Sequence, residues 1–262
     1  MRSEWIPAAG VACNSSVEAA NHLASLLFAS NCTFSDIDYS NRRRADWPVM
    51  AHLGRVVELA EAGVCGSDAG LVHWSVCALN WWLVERPTDP NWYDQEIAAP
   101  NNIGEALVVL GTGALEANQT AAAEALINEA DWRGWTGSNL LFMLRAEAMR
   151  GAATGNGTAL AEAFSEAFSA VHAFPQSSDG PQHDWSFHQH GPQLLSGSYG
   201  AEFVQHVLEM ALWASDTQWA MQGASADALE GLVLDGDRHL IRLQSWDWQV
   251  VGRSITVPPG HT

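Results

Sequence analysis

One segment of the chain gathers the side chains best suited to chemistry. From Asp179 to Gly200 it reads Asp-Gly-Pro-Gln-His-Asp-Trp-Ser-Phe-His-Gln-His-Gly-Pro-Gln-Leu-Leu-Ser-Gly-Ser-Tyr-Gly, and three of its residues are His183, His188 and His190. Imidazoles and phenols carry general acid–base steps, and imidazoles also bind metal ions. Because glycine and proline punctuate the segment, we expect a long loop that presents these groups.

Two interpretations follow from these residues alone. In the first, His188 and His190 bind a metal ion together with His183 or Asp184, as in a metal-dependent hydrolase. A His-x-His pair is a weak signal, however, and no further histidine-rich motif supplies a fourth ligand. In the second, the histidines cap helices and satisfy the backbone of the loop.

A third interpretation comes from resemblance. The pattern Asp-Gly-x-x-x-Asp-Trp-Ser-Phe-His-Gln-His-Gly-Pro-Gln-Leu-x-x-Gly-x-Tyr-Gly resembles the central motif of polysaccharide lyase family 8, which holds the hyaluronan, chondroitin AC and xanthan lyases. Three more stretches match in the same order and resemble the family's Asn-Trp-Trp-x-x-Glu-Ile, Thr-Gly-Ala-Asn and Gly-Arg-x-Ile. They are Asn91-Trp92-Tyr93-Asp94-Gln95-Glu96-Ile97, Trp135-Thr136-Gly137-Ser138-Asn139 and Val251-Gly252-Arg253-Ser254-Ile255.

The resemblance implies a catalytic role for four residues. Asn139 matches the family's asparagine that pairs with the uronate carboxylate. His190 and Tyr199 match the catalytic histidine and tyrosine, and Arg253 matches the arginine beside that tyrosine. A second family arginine, four residues after the first, is replaced here by Val257.

The resemblance also implies the residues that hold the sugar chain. Trp92 and Tyr93 match a pair of aromatic residues that line the cleft, with Tyr93 in place of a tryptophan. The full set of expected substrate-binding residues is Trp92, Tyr93, Trp135, His188 and Arg133.

The reaction that these groups suit is the β-elimination of a uronic-acid-containing acidic polysaccharide, a glycosaminoglycan such as hyaluronan or chondroitin. The amide of Asn139 can stabilise the charge that builds on the carboxylate, and Tyr199 can act first as base and then as acid. Free tyrosine titrates near ~10, so we expect Arg253 or His190 to supply positive charge beside it. No metal or organic cofactor is expected. The alternative is a non-catalytic glycan-binding helical domain or a fragment of a larger lyase.

Helices must position these residues, because apolar side chains recur at helical spacing almost everywhere and strand-like alternation is scarce. We therefore predict an all-α fold in one domain over residues 1–262. The resemblance implies an incomplete (α/α) toroid of antiparallel hairpins, without the family's C-terminal β-sandwich portion. The predicted helices are Ala19–Phe28, Trp47–Ala62, Gly70–Val84, Asn102–Leu110, Ala121–Ala130, Asn139–Met149, Thr158–Phe174, Ala201–Trp213, Thr217–Leu234 and Arg238–Leu243.

The charge of the chain excludes some partners. Twelve arginines and no lysine face 30 acidic residues, which gives a net charge of −18. Nucleic acid and anionic membranes require a basic surface, so neither is an expected partner. An acidic polysaccharide can bind only where a few arginines line a cleft.

The cysteines and possible glycosylation sites favour an extracellular, secreted protein, although no signal peptide opens the chain. Four cysteines permit three pairings, of which Cys13–Cys32 with Cys65–Cys77 spans the shortest gaps. Four Asn-x-Ser/Thr sequons begin at Asn14, Asn31, Asn118 and Asn156.

Overall fold

A computed structural model describes residues 11–111, 113–172 and 179–256, with side chains from residue 17 to residue 255. Helices account for most of this part of the chain. They are α1 (Val11–Ser25), α2 (Ala51–Cys65), α3 (Ala69–Glu85), α4 (Ala99–Leu110), α5 (Ala117–Glu129), α6 (Gly137–Thr154), α7 (Gly157–Ser169), α8 (Ala201–Ala214) and α9 (Ala224–Gly231).

The all-α prediction is confirmed. The strands in the described part are two residues long and form two antiparallel pairs, β1 (Gly180–Pro181) with β2 (Phe187–His188), and β3 (Ile241–Arg242) with β4 (Ser245–Trp246). Short π-helical turns at Asp94–Ala98 and Ser196–Gly200 lead into α4 and α8.

Two helix predictions were wrong near the C-terminal end. The helix predicted from Thr217 begins only at Ala224, after Gly223 has taken a positive φ of 57°. The helix predicted over Arg238–Leu243 is instead a 3-10 turn followed by the β3–β4 hairpin. The hairpin turns at Leu243, whose φ is also 57°, and helical periodicity cannot reveal such a turn at a leucine.

The described residues group into two compact units. The first contains the residues up to Asp131 together with Ala146–Leu160, and the second contains Trp132–Arg145 and the residues from Ala161 onward. Helix α6 therefore contributes its beginning to the second unit and its end to the first. The prediction of a single domain stays a prediction.

The core of the first unit forms around α2, α3 and α4. Helix α3 begins at Asp68, whose carboxylate accepts hydrogen bonds from the backbone N–H groups of Gly70 at 2.8 Å and Leu71 at 3.2 Å. This N-cap satisfies two of the four donors that a helix start leaves free. The largest fully buried side chains of this core are Phe34, Leu53, Leu59, Leu71, Leu79, Trp82, Ile103 and Leu107.

A disulfide between Cys32 and Cys77 ties the loop after α1 to the middle of α3. The two cysteines lie 45 residues apart in sequence, with a Cα–Cα distance of 5.7 Å. This bond excludes the Cys13–Cys32 and Cys65–Cys77 pairing. Among the residues with described side chains, no cysteine is a free thiol.

A fully buried histidine links three elements of the first unit. His52 Nδ1 lies 2.8 Å from Tyr39 Oη, and its Nε2 lies 2.9 Å from the carbonyl oxygen of Ala78. Tyr39 Oη also accepts a hydrogen bond from the backbone N–H of Phe34 at 3.0 Å. Burial lowers the pKa of His52 to about 4, because no water solvates a charged ring there.

In the second unit, an ion pair joins α6 to α8. Arg145 donates two hydrogen bonds to the carboxylate of Glu209, at 2.9 and 3.2 Å, and His206 Nδ1 lies 3.2 Å from the same carboxylate. Fully buried Phe203 on α8 contacts Phe187 of β2, with ring centroids 5.1 Å apart. The contact between Phe203 and Phe187 holds the start of α8 against the β1–β2 hairpin.

Two negative findings apply to the described residues. None of their helices is both long enough and apolar enough to span a membrane. Within the same ranges, no group of three or more histidine, cysteine, aspartate or glutamate side chains is arranged to hold a metal ion. The metal interpretation of His183, His188 and His190 therefore finds no ligand set in this part of the chain.

The buried His52 predicts how stability changes with pH. An unfolded histidine titrates near 6.5 and His52 near 4, so the unfolded chain binds more protons between these values. The free energy of unfolding should therefore fall by about 2 kcal/mol from about pH 7.5 to about pH 5 through this residue alone. Urea unfolding of the wild type and of His52→Gln at both pH values measures this difference.

The exposed His73 offers a matched control for that experiment, since His73→Gln removes a histidine from the surface of α3. His73→Gln should keep the wild-type pH dependence, and His52→Gln should lose about 2 kcal/mol of it. Equal pH dependence in all three proteins would contradict the assignment.

Candidate active site

The β1–β2 hairpin sets the backbone that carries His190. Gly180 pairs with His188 and Pro181 with Phe187, and the chain then folds back so that Leu195 N donates to the carbonyl oxygen of Phe187 at 2.9 Å. Inside this tight return, His190 has a φ of 59° and Gly191 one of 83°. A left-handed backbone is uncommon for residues other than glycine, although histidine adopts it more often than most, and the His190 side chain is exposed.

The π-helical turn Ser196–Gly200 carries Tyr199 into the start of α8. Its glycines allow close packing, because a Cβ on Gly197 would lie 2.9 Å from the Trp246 ring and one on Gly200 would lie 2.9 Å from Phe187 Cβ. Ser196 is fully buried, and its hydroxyl accepts a hydrogen bond from Phe187 N at 3.0 Å.

Three of the predicted catalytic side chains meet at the hydroxyl of Tyr199. His190 Nε2 lies 3.2 Å from Tyr199 Oη, and the two rings meet edge to face with centroids 5.1 Å apart. Arg253, on the 3-10 turn Gly252–Thr256, brings its NH2 group to 3.5 Å from the same oxygen. All three side chains lie in the second unit. The imidazole of His190 and the guanidinium of Arg253 both contact the phenol oxygen of Tyr199.

The fourth predicted catalytic residue, Asn139, lies in the first turn of α6 and is mostly buried. Its neighbour Ser138 ties this turn to the site, because the Ser138 hydroxyl donates to the main-chain carbonyl of Tyr199. Ser138 N in turn donates to Gln189 Oε1 at 3.1 Å. The beginning of α6 is thus joined to the segments of both His190 and Tyr199.

An aspartate completes this network. Asp179 Oδ2 accepts a hydrogen bond from Gln189 Nε2 at 2.8 Å, and its Oδ1 accepts one from Gly191 N at 2.9 Å. Gln189 is almost fully buried, with 1% of its surface exposed. Asp179, Gln189 and Ser138 stand inside the quoted motifs, but the sequence did not reveal their contacts, because their partners lie up to 61 residues away.

The charge around the tyrosine is mixed. Glu202 follows Tyr199 by three residues on α8, and desolvation raises the pKa of its carboxyl while the charges of His206 and Arg253 lower it. Desolvation is the larger effect, so the pKa of Glu202 is raised, and Arg253 lies near this carboxyl as well as near the phenol.

The predicted aromatic pair lies in the first unit, where each of its members is about two-fifths exposed: Trp92 38% and Tyr93 39%. Their rings meet edge to face, with centroids 6.1 Å apart. Asn91 orders the turn before them, since its Oδ1 accepts from Tyr93 N at 3.3 Å and its Nδ2 donates to Asp94 Oδ2 at 3.1 Å. The pair is thus presented on an ordered turn at the entrance to α4.

Three further predicted binding residues lie in the second unit. Arg133 stacks over the ring of Trp132 at 4.6 Å and pairs with Glu162 at 3.6 Å, so its charge is partly engaged on the surface. Trp135 is half-buried just before α6, and its N–H donates to the carbonyl oxygen of Trp132. Within the described residues, His188 Nδ1 is buried without a hydrogen-bond partner.

Comparison with known proteins decides the family. A model of the N-terminal alpha-helical domain of polysaccharide lyase family 8 matches residues 12–259. The chain belongs to this family. The resemblance on the four motifs is therefore confirmed.

Individual members of family 8 agree with this assignment. Chondroitinase-AC of Pedobacter heparinus is 28% identical over 239 residues, which cover 86% of this chain and 33% of that protein. A solved chondroitinase AC lyase superposes with a TM-score of 0.86 at 25% identity, over 93% of this chain and 37% of the other. The chain thus spans about a third of the length of these relatives.

More distant family 8 structures share the fold. A Streptomyces coelicolor chondroitin AC lyase, solved in complex with chondroitin sulphate, gives a TM-score of 0.81 at 21% identity, over 97% of this chain and 38% of the other. A Paenibacillus xanthan lyase gives 0.78 at 18% identity, over 93% and 24%. The predicted fold class, that of the family's helical α/α-toroid domain, is confirmed.

Gly137 allows the first turn of α6 to approach the site. Its φ is 61°, and a Cβ there would lie 2.3 Å from Gln189 Oε1. Since Gln189 is held by Asp179 and Ser138, it cannot move away without breaking hydrogen bonds. Gly137→Ala should therefore lower the free energy of unfolding by about 1–3 kcal/mol beyond the cost of the positive φ.

Gly134 provides the matched control, because it has a φ of 87° but nothing within 4 Å of an added Cβ. Urea unfolding of Gly134→Ala measures the backbone cost alone. An equal loss of stability in the two variants would show that the contact with Gln189 is unimportant.

Proposed function

We propose that the chain carries the catalytic helical domain of a lyase that cleaves a uronic-acid-containing polysaccharide by β-elimination. The observation that carries the proposal is the meeting of His190 and Arg253 at the Tyr199 hydroxyl, at 3.2 and 3.5 Å, in a chain of family 8. A phenol with a nitrogen base on one side and a fixed cation on the other is suited to giving up and regaining a proton.

The reaction begins at C5 of the uronate, next to its carboxylate. His190 Nε2 accepts the proton of Tyr199, and Arg253 donates a hydrogen bond to the phenolate. The phenolate takes the C5 proton while the side-chain amide of Asn139 hydrogen-bonds to the carboxylate, on which negative charge accumulates.

Elimination then breaks the glycosidic bond. The electron pair left at C5 forms the C4–C5 double bond, and the bond from C4 to the glycosidic oxygen breaks. Tyr199 transfers the proton taken from C5 to that oxygen, so the products are a 4,5-unsaturated uronide and a free hydroxyl on the departing sugar. The reaction consumes no oxidant and no water.

Chondroitin sulphate is the proposed substrate class, since a relative is named chondroitinase-AC and another was solved with chondroitin sulphate. The exposed rings of Trp92 and Tyr93 can stack on sugar faces, and Arg133 can pair with sulphate or carboxylate. Because glycosaminoglycans are extracellular, we also propose that the protein is secreted, in keeping with its disulfide.

Replacing the tyrosine tests the chemistry directly. Tyr199→Phe loses only the hydroxyl, so turnover of chondroitin sulphate should fall by ~10²–10⁴-fold while oligosaccharide binding changes little. The rise in ultraviolet absorbance of the unsaturated uronide measures turnover, and calorimetry measures binding. A variant that keeps half of the wild-type rate would defeat the assignment. Binding by the wild type without any absorbance change would favour a glycan-binding domain instead.

Replacing the arginine tests whether charge acts at one point. A charge-assisted hydrogen bond contributes ~1.5–3 kcal/mol, so Arg253→Ala should lower kcat/KM by at least about tenfold. Exposed Arg242 on β3 is the matched control, because Arg242→Ala removes the same charge from the same unit.

Replacement of Arg42, Arg43 and Arg44 together should change the salt dependence of activity more than turnover, since Arg42 and Arg43 bind backbone carbonyls of their own exposed loop. Equal losses from all three replacements would mean that charge acts diffusely.

A further inference from the structure

We propose that Asp179 is a positioning residue for the elimination: its carboxylate binds the side chain of Gln189 before His190 and the backbone N–H of Gly191 after it, and thereby sets the imidazole against Tyr199 Oη. This inference rests on the proposed function, which gives the contact between His190 and Tyr199 its task. Asp179 acts through the backbone and not on the substrate.

The two carboxylate oxygens of Asp179 have separate partners. Oδ2 accepts a hydrogen bond from the side chain of Gln189, the residue before His190, at 2.8 Å. Oδ1 accepts one from the backbone N–H of Gly191, the residue after it, at 2.9 Å. An ionised carboxylate has two acceptor oxygens, so it can accept a hydrogen bond from each of these two N–H donors. The side-chain amide of an asparagine has a single acceptor oxygen and could accept from one of them only.

His190 requires this support because of its backbone. Its φ of 59° lies in the left-handed region, which a residue with a Cβ rarely adopts unless its surroundings impose it. The side chain is exposed, and its ring contacts that of Tyr199, so a buried core does not hold the ring. If the peptide relaxed to a right-handed or extended conformation, the Cα–Cβ bond would turn and Nε2 would leave its place 3.2 Å from Tyr199 Oη.

The same carboxylate reaches the tyrosine by a second route. Gln189, which Asp179 orients, accepts a hydrogen bond from Ser138 N, and the Ser138 hydroxyl donates to the main-chain carbonyl of Tyr199. Gln189 is nearly fully buried, so water does not readily replace its partners. Both members of the catalytic pair are thus held from the main chain by one connected network that begins at Asp179.

Asp179→Asn tests the proposal. The asparagine side chain places an NH2 donor against either the Gln189 side-chain amide or the Gly191 N–H, so one of the two hydrogen bonds is lost. We expect kcat on chondroitin sulphate to fall roughly 10- to 100-fold with KM within about twofold, as for a misplaced catalytic group. In a His190→Ala background, the same substitution should cost several-fold less than in the wild type, since only the route through Gln189 and Ser138 to Tyr199 is left. An additive loss in the double variant would overturn the proposal.

A measurement without substrate separates this proposal from the proposed function. The imidazole resonance of His190 is identified by NMR in the wild-type chain from its loss in His190→Ala, and it should shift or broaden in Asp179→Asn. An unchanged His190 resonance overturns the positioning role whether or not the chain is a lyase. Absence of elimination by the wild type, with a shifted resonance, defeats the proposed function alone.

Two more variants complete the design. Asp38→Asn removes the same charge from a carboxylate that also accepts a backbone N–H, that of Ser40 at 3.0 Å, and it should leave both kcat and the His190 resonance unchanged. Gln189→Met keeps the contact of Asp179 with Gly191 and breaks the other. It should therefore lower kcat less than Asp179→Asn does. If Asp179→Asn does not fold, Gln189→Met takes its place as the test of the proposal. A wild-type kcat and an unchanged His190 resonance in Gln189→Met would then overturn the proposal.

Discussion

The left-handed backbone at His190 is the constraint on which the rest of the site depends. Such a conformation costs ~1–3 kcal/mol for a residue with a side chain, so it persists only where neighbouring structure imposes it. Here the β1–β2 pairing, the glycine at position 191 and the start of α6 all impose it. Helices that look like general scaffold are therefore part of the arrangement that sets one imidazole beside one phenol.

The two units contain histidines in contrasting environments. His52 is fully buried with both ring nitrogens paired, and its lowered pKa keeps it neutral. His190 is exposed and has one ring nitrogen against a phenol. Burial and full pairing make the first a rigid cross-link of the core, whereas the second lies at the surface in contact with solvent.

The sequence predicted most of the fold, and the order of its motifs predicted three side chains, His190, Tyr199 and Arg253, that the structure brings together. Apolar spacing was enough for helices such as α2 and α8, because a helical period runs through each. It failed at Leu243, where a turn with positive φ interrupts a run that is apolar enough for a helix. It also did not predict the hydrogen bonds of Asp179 and Ser138, since contacts between distant segments depend on tertiary packing and leave no periodic trace.

The contacts that hold Tyr199 and His190 have a consequence for how this protein can change. Ser138 hydrogen-bonds to the main-chain carbonyl of Tyr199, and Asp179 accepts a hydrogen bond from the main-chain N–H of Gly191. Neither contact involves the side chain of Tyr199 or of His190. Both contacts would remain in a chain with other side chains at positions 190 and 199. Substitutions there can therefore leave the fold intact, and selection on stability alone would not detect them.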